Sequence, residues 1–144
     1  MIRNFIASDM DSVLSIWLES SAKAHDFVDR AFWESKLDDM RNIYIPSSET
    51  YVYESGSEVK GFFSLHGDTL AAIFVTPGCQ GEGIGQILMA KAKSLRERIT
   101  LDVYKENQKS VDFYKRCGFR VVSEKTDPHT GHAELVMEFH SCYG

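Results

Sequence analysis

Residues 75 to 85, VTPGCQGEGIG, place four glycines and one proline in eleven positions. An almost wholly apolar run, Thr69 to Val75, comes before them, and a run with helical spacing follows: Ile84, Ile87, Leu88, Lys91 and Leu95. The first run reads as a strand covered on both faces and the second as a helix. Glycine is needed where backbone takes a positive φ or must approach another group closely. At a helix N-terminus, bare backbone leaves unpaired N–H groups and the positive end of the dipole open to an anion. Phosphate is the common occupant of such a place, so Gly81, Gly83 and Gly85 read as a phosphate cradle. A plain tight turn rarely requires four glycines.

The familiar nucleotide loops do not fit. A P-loop ends in Gly-Lys-Ser/Thr, whereas Gln86 follows Gly85. A dinucleotide fingerprint that began at Gly81 and Gly83 would need its third glycine at Gln86.

The rest of the chain supplies the frame. Ile2 to Ile6 reads as a short strand and Ser8 as the N-cap of a first helix carrying Met10, Val13, Leu14, Trp17 and Leu18. A second helix is expected over Asp29 to Ile43, with Phe32, Trp33, Leu37 and Met40 on one side and Pro46 ending it; Trp17, Phe32 and Trp33 read as core rather than a substrate cage. TYVYE, VKGFFSL and TLAAIFV, joined by SGS and HGD, form an antiparallel meander. ITLDVY follows the glycine stretch and its helix. That strand–helix–strand order makes the strands of Val75 and Leu101 parallel neighbours. A short helix over NQKSVDFYKRCG comes next, with Gly118 as its C′ residue. FRVVSEK and HAELVMEF close the chain as a hairpin around DPHTG. At 144 residues, this is one domain, 1–144, of mixed α/β (α+β) class.

Two motifs carry a family resemblance. Val75, Pro77, Gln80, Gly81, Gly83, Ile84 and Gly85 spell V-x-P-x-x-Q-G-x-G-I-G. This resembles the acyl-CoA-binding signature Q/R-x-x-G-x-G/A of the GNAT superfamily of N-acetyltransferases. The stretch from Asn107 to Phe119 resembles that family's later motif N-x-x-A-x-x-F-Y-x-x-x-G-F, with Ser110 where alanine is usual. The order of elements is similar too, so the resemblance spans essentially the whole chain. It implies a mixed, mostly antiparallel central sheet with a splayed parallel pair, flanked by about four helices. It implies acetyl-CoA as cosubstrate, held by Phe74, Val75, Gln80, Gly81, Glu82, Gly83, Ile84 and Gly85, with Asn107 and Ser110 on the neighbouring helix. Asn107, Ser110, Val111 and Tyr114 share one helix face, and Asn107 and Tyr114 lie roughly 10 Å apart along it.

The chemistry implied is direct attack of a primary amine on the acetyl group, without an acyl-enzyme. Tyr114 is the candidate acid for the leaving thiolate, because a phenol can donate to sulfur. Backbone N–H at the end of the Val75 strand is the candidate donor to the developing oxyanion. His25, Glu54, His66 and Asp102 stay open as the general base, or water alone serves. His25 and Phe27, in the loop after the first helix, are candidate acceptor-binding residues. The alternative is a catalytically silent module of the same fold that binds or senses CoA.

Composition narrows the partners. The net charge of −5 disfavours a nucleic-acid backbone, leaving charged tRNA as the one such acceptor considered. The acceptor is expected to be a small-molecule amine or a protein lysine, and the chain a monomer or homodimer. Three scattered cysteines, Cys79, Cys117 and Cys142, offer neither a disulfide framework nor a zinc pattern, even with His129, His132 and His140 nearby. No signal peptide or bilayer-length apolar run is read from the sequence, so a cytoplasmic protein without membrane or metal is expected.

Overall fold

The computed structural model describes residues 1–141, so Cys142 lies outside them. The strands among the described residues are β1 Ile2–Asn4, β2 Glu49–Ser55, β3 Glu58–His66, β4 Thr69–Val75, β5 Arg98–Tyr104, β6 Arg120–Thr126 and β7 Ala133–His140. They form one sheet in the order β1-β2-β3-β4-β5-β7-β6. Every neighbouring pair is antiparallel except β4 and β5. The helices are α1 Met10–Ala24, α2 Arg30–Glu34, α3 Leu37–Asp39, α4 Ile84–Leu95 and α5 Gln108–Arg116.

The β4–β5 junction governs the site. These parallel strands share one paired position, Thr69 with Thr100. Beyond it each strand holds its other neighbour: β4 stays on β3 as far as Val75 opposite Gly61, and β5 stays on β7 as far as Tyr104 opposite Glu134. Each half of the sheet follows its own twist, and a gap opens toward the carboxyl ends. Thr76 N–H donates to the Lys60 carbonyl at 2.8 Å. Alternation along the antiparallel ladder then turns the Phe74 backbone toward β3 and that of Ile73 and Val75 into the gap.

Two cores cover the sheet. On one face α4 and α5 pack Ile84, Leu88, Met89, Ala92 and Val111 against Phe63, Leu101 and Met137. On the other, α1 and α2 pack Val13, Ile16, Trp17 and Trp33 against Val52, Phe62 and Tyr104. Sequence periodicity had the core placement of Trp17 and Trp33, whereas Ile87, part of the stripe read for α4, is exposed.

Local expectations fail in two places. The helix expected over Asp29 to Ile43 is broken into α2, α3 and a wide π turn, Met40–Tyr44. Asp29 does cap α2, accepting from Ala31 N–H at 3.1 Å. The break follows at Ser35, whose hydroxyl donates to the Phe32 carbonyl at 2.6 Å, the backbone competition that makes serine a poor helix interior. Ser8 is not an N-cap; it lies inside a 3₁₀ turn, Ala7–Asp9. The Asp9 carboxylate instead accepts from Ile6 N–H at 2.9 Å and pairs with Arg3, which holds it below the usual carboxylate range.

Gly61 makes the fit of α4 on β3 possible. A Cβ there would lie 2.9 Å from the Phe74 carbonyl oxygen and 3.1 Å from Leu88 Cδ1. Gly61→Ala should therefore destabilise the fold by about 1–3 kcal/mol through overpacking. Urea denaturation with an unchanged m-value measures this, and an unaltered midpoint would show that α4 sits farther from the sheet.

Candidate active site

The glycine stretch closes the gap at the end of β4. Pro77–Cys79 form a 3₁₀ turn, and α4 starts at Ile84. Gly81 and Gly83 take φ of +87° and +83°, where L side chains are strained, and a Cβ on either would meet nothing within 4 Å. The glycines thus turn the chain and leave an open side. Ile87 N–H closes the first helical bond, onto Gly83, and no backbone carbonyl among the described residues accepts from the N–H groups of Gln80 to Gln86. A run of free donors at the positive end of α4 fits a diphosphate.

Three members of the loop also make contacts of their own. Gly85 has ordinary helical geometry; its missing side chain lets the Phe113 ring pack 3.5 Å from where a Cβ would stand. Ile84 buries its side chain in the core, so only its N–H is available. The Gln80 side chain turns back and donates to the Val75 carbonyl at 3.2 Å, rather than reaching toward the loop. Ser20, on α1, donates to the same carbonyl at 3.1 Å. Phe74 packs on Phe62 across the opposite core.

The second wall is α5. Gly118, at φ +94°, ends it in a Schellman cap: Gly118 N–H donates to the Lys115 carbonyl and Phe119 N–H to that of Tyr114, both at 3.0 Å. This folds the Phe119 ring back onto Tyr114, centroids 5.8 Å apart, with Phe113 on the other side at 5.6 Å. The G-F pair of the motif therefore fixes the tyrosine. The Tyr114 hydroxyl makes no hydrogen bond among the described residues. Burial, then the neighbouring Cys117, raises its pKa above the usual phenol range. It is a protonated phenol at any physiological pH.

Asn107 connects this helix to α1. Its Oδ1 caps α5, accepting from Ser110 N–H at 3.2 Å, and its Nδ2 lies 3.0 Å from His25 Nε2. The cap fixes the amide's orientation, so Nδ2 donates and His25 Nε2 accepts. Ser110 contributes backbone here. His25 is buried among Phe27, Trp33 and Tyr104 at centroid distances of 5.7, 5.3 and 5.0 Å. Burial lowers its pKa from 6.5 to about 4. With its basic nitrogen engaged and the ring out of water, His25 is unsuited to be the general base.

The other base candidates are committed elsewhere. Glu54 pairs with Arg3 at 3.1 Å and Asp102 with Lys125 at 2.8 Å. His66, at the far end of β4's hairpin, lies 3.3 Å from the Ser47 carbonyl. Phe27 reaches His132 of the β6–β7 hairpin at 4.8 Å, so the two loops meet over Tyr104. Tyr104 donates to Asp127. Burial opposes ionisation of Asp127, but bonds from Tyr104, His129 N–H and Thr130 outweigh it and hold the carboxylate charged. Ser20, Tyr104 and Asp127 escaped the sequence reading, which weighed His132 only as a metal ligand. Tyr104 had one signal, its place at the carboxyl end of a strand, three residues before Asn107.

A sheet split between β4 and β5, with a donor-rich loop at its mouth, is the architecture of GNAT acetyltransferases. The chain belongs to that family: the model of the acetyltransferase (GNAT) domain matches residues 46–121. It is 33% identical over 123 residues to the peptidyl-lysine N-acetyltransferase YiaC of Escherichia coli, covering 85% of this chain and 84% of that protein. It is 31% identical over 121 residues to the peptidyl-lysine N-acetyltransferase YjaB of Salmonella typhimurium, covering 83% of each. Among solved structures, apo YjaB from Escherichia coli superposes with a TM-score of 0.84 at 26% identity, covering 96% of each chain. The PaiA N-acetyltransferase of Thermoplasma acidophilum, in complex with coenzyme A, shares the fold with a TM-score of 0.81 at 19% identity, over 97% of this chain and 98% of that one. The protein is an acetyltransferase, and GNAT acetyltransferases use acetyl-CoA.

The neutral state of His25 makes folding sensitive to acid. Above pH 6.5 neither folded nor unfolded chain protonates it, and nothing is lost. Between pH 6.5 and about 4 the unfolded chain takes up a proton that the folded one refuses, so stability falls. Below that the loss levels off at roughly 3 kcal/mol. His25→Gln should flatten the stability curve over that window in urea titrations; an unchanged slope would place the imidazole in water.

Proposed function

We propose that the chain moves the acetyl group of acetyl-CoA to a primary amine, a lysine side chain of a peptide or protein, by direct attack in a ternary complex. The gap between β4 and β5 carries this reading. On one side stand the inward-turned backbone of Ile73 and Val75 and the free N–H groups of residues 80 to 86. On the other stands α5, with a neutral phenol that has no partner. The names of the relatives at 31–33% identity support a lysine as acceptor.

Each residue then has a task. The N–H groups of residues 80 to 86 hold the diphosphate, and Gly81 and Gly83 shape the loop that presents them. The Val75 carbonyl is already bound by Ser20 and Gln80, which fixes the strand end and leaves its N–H for the acetyl oxygen as negative charge develops. Asn107 positions the start of α5. Tyr114 gives its proton to the sulfur as the carbon–sulfur bond breaks. Each candidate base is engaged or buried, so the amine loses its proton to water. Cys79 and Cys117 are free thiols, as suits a reducing cytoplasm, and no helix among the described residues is long and apolar enough to cross a membrane.

Tyr114→Phe removes an oxygen that holds nothing in the fold. It should lower kcat by about 10²–10⁴-fold in a thiol-release assay, with the KM for acetyl-CoA within about threefold of native. An unchanged kcat would remove the phenol from the reaction.

A further inference from the structure

Two buried side-chain nitrogens make no hydrogen bond of full geometry among the described residues: His25 Nδ1, whose one nearby acceptor is the poorly aligned Ser21 carbonyl, and Trp33 Nε1. Both are donors. Trp33 always carries its indole hydrogen. His25 carries its hydrogen on Nδ1, because Nε2 accepts from Asn107. The two rings are neighbours, centroids 5.3 Å apart and tilted by 37°, and each residue is only 8% exposed. Buried donors almost always find acceptors, so Trp33 Nε1–H with none, beside a His25 N–H left with a poorly aligned one, points to an oxygen that arrives from outside.

The surroundings say which kind of oxygen. The one hydroxyl of the aromatic group, on Tyr104, is already engaged, donating to Asp127 and accepting from Thr130 at 3.4 Å. The charged groups nearby are acidic. Asp127 lies under Tyr104, and Glu106 stands 2.7 Å from His132 Nδ1. Glu134 has its carboxyl raised, first by burial and then by Asp127 and Asp102. The lysines of the same region are bound to other carboxylates, Lys105 to Glu124 and Lys125 to Asp102. A carboxylate would enter this field without a countercharge, whereas a neutral carbonyl would not be repelled and a cationic amine would be drawn in.

We infer that His25 Nδ1–H and Trp33 Nε1–H together receive one neutral carbonyl oxygen of the acceptor, the main-chain carbonyl of the residue that bears the reactive amine. This deepens the proposed function and rests on it for the amine. It makes His25 and Trp33 specificity determinants: lysine in a peptide satisfies both donors, whereas a free amino acid presents a carboxylate and a simple alkylamine presents nothing. Half-buried Phe27 covers His25 and must turn aside to admit the chain, whose aliphatic stem then lies against Phe27, Tyr104 and His132.

Nα-acetyl-norleucinamide tests the site directly, since it has the carbonyls of a lysine peptide and no amine to be acetylated. The chain has two tryptophans. Two indole N–H signals are therefore expected in a nitrogen–proton spectrum, and Trp33→Phe assigns them. Titration of the native protein should move the Trp33 signal downfield to saturation and leave that of Trp17 in place. In thiol-release kinetics, Nα-acetyl-lysinamide should exceed pentylamine in kcat/KM by at least about tenfold, and Trp33→Phe or His25→Leu should cut that ratio at least about fivefold. His25→Asn, which keeps a donor near the same point, should retain most of it. An unmoved Trp33 signal, or a ratio that survives in Trp33→Phe, overturns the inference and assigns the two donors to a buried water. Release of no thiol with any amine would sink the acetyl-transfer reading instead, and the titration would still decide the carbonyl site.

Discussion

Strand β4 lies between two neighbours and holds only one of them along its length. It remains on β3 to its last residue, while β5 remains on β7, and the two parallel strands pair at Thr69 and Thr100 alone. Backbone groups inside a sheet are normally paired, so unpaired ones on β4 need either water or a ligand. Every feature proposed for the site depends on that divergence. The glycine loop caps its mouth, α4 fits closely over β3 because Gly61 lacks a side chain, and α5 starts where β5 ends.

A sheet that opens must be held by something other than its ladder. Five contacts brace the elements around the gap. Ser20 and Gln80 clamp the Val75 carbonyl, and His25 accepts from Asn107. The Phe113 ring lies against the bare first turn of α4 at Gly85, and Lys93 donates to the Cys117 carbonyl. Gln80 closes the end of β4 on itself, His25 joins α1 to α5, and the other three tie β4 or α4 to α1 or α5. The loop after α1 and the start of α5 are thus one hydrogen-bonded unit, which in the proposed reaction would couple the placement of the amine to that of the thioester.

The sequence made the frame and half of the site readable. Glycine at positive φ before a helix, and a G-F pair after one, are local demands that leave their marks in local residue types. Hence Gly81, Gly83, Tyr114 and Gly118 were legible, as were the meander and the terminal hairpin. The contact of His25 with Asn107 spans 82 residues, and the clamp of Ser20 on Val75 spans 55; neither has a local pattern. The broken helix after Asp29 had a sign in Ser35, but a periodic run of Phe32, Trp33, Leu37 and Met40 outweighed it. His25 was weighed in the sequence both as one of four open base candidates and as an acceptor-binding residue. Its type suggested a base, and only its burial and its bond to a donor show why it stays neutral.

Amide chemical shifts on titration with CoA test the central claim most directly. If the diphosphate sits on free backbone at the mouth of the gap, the largest changes fall on the N–H groups of residues 80 to 86 and on Val75, and they saturate together. If those amides stay in place while others move and saturate, the cofactor binds elsewhere and the gap between β4 and β5 is not its site.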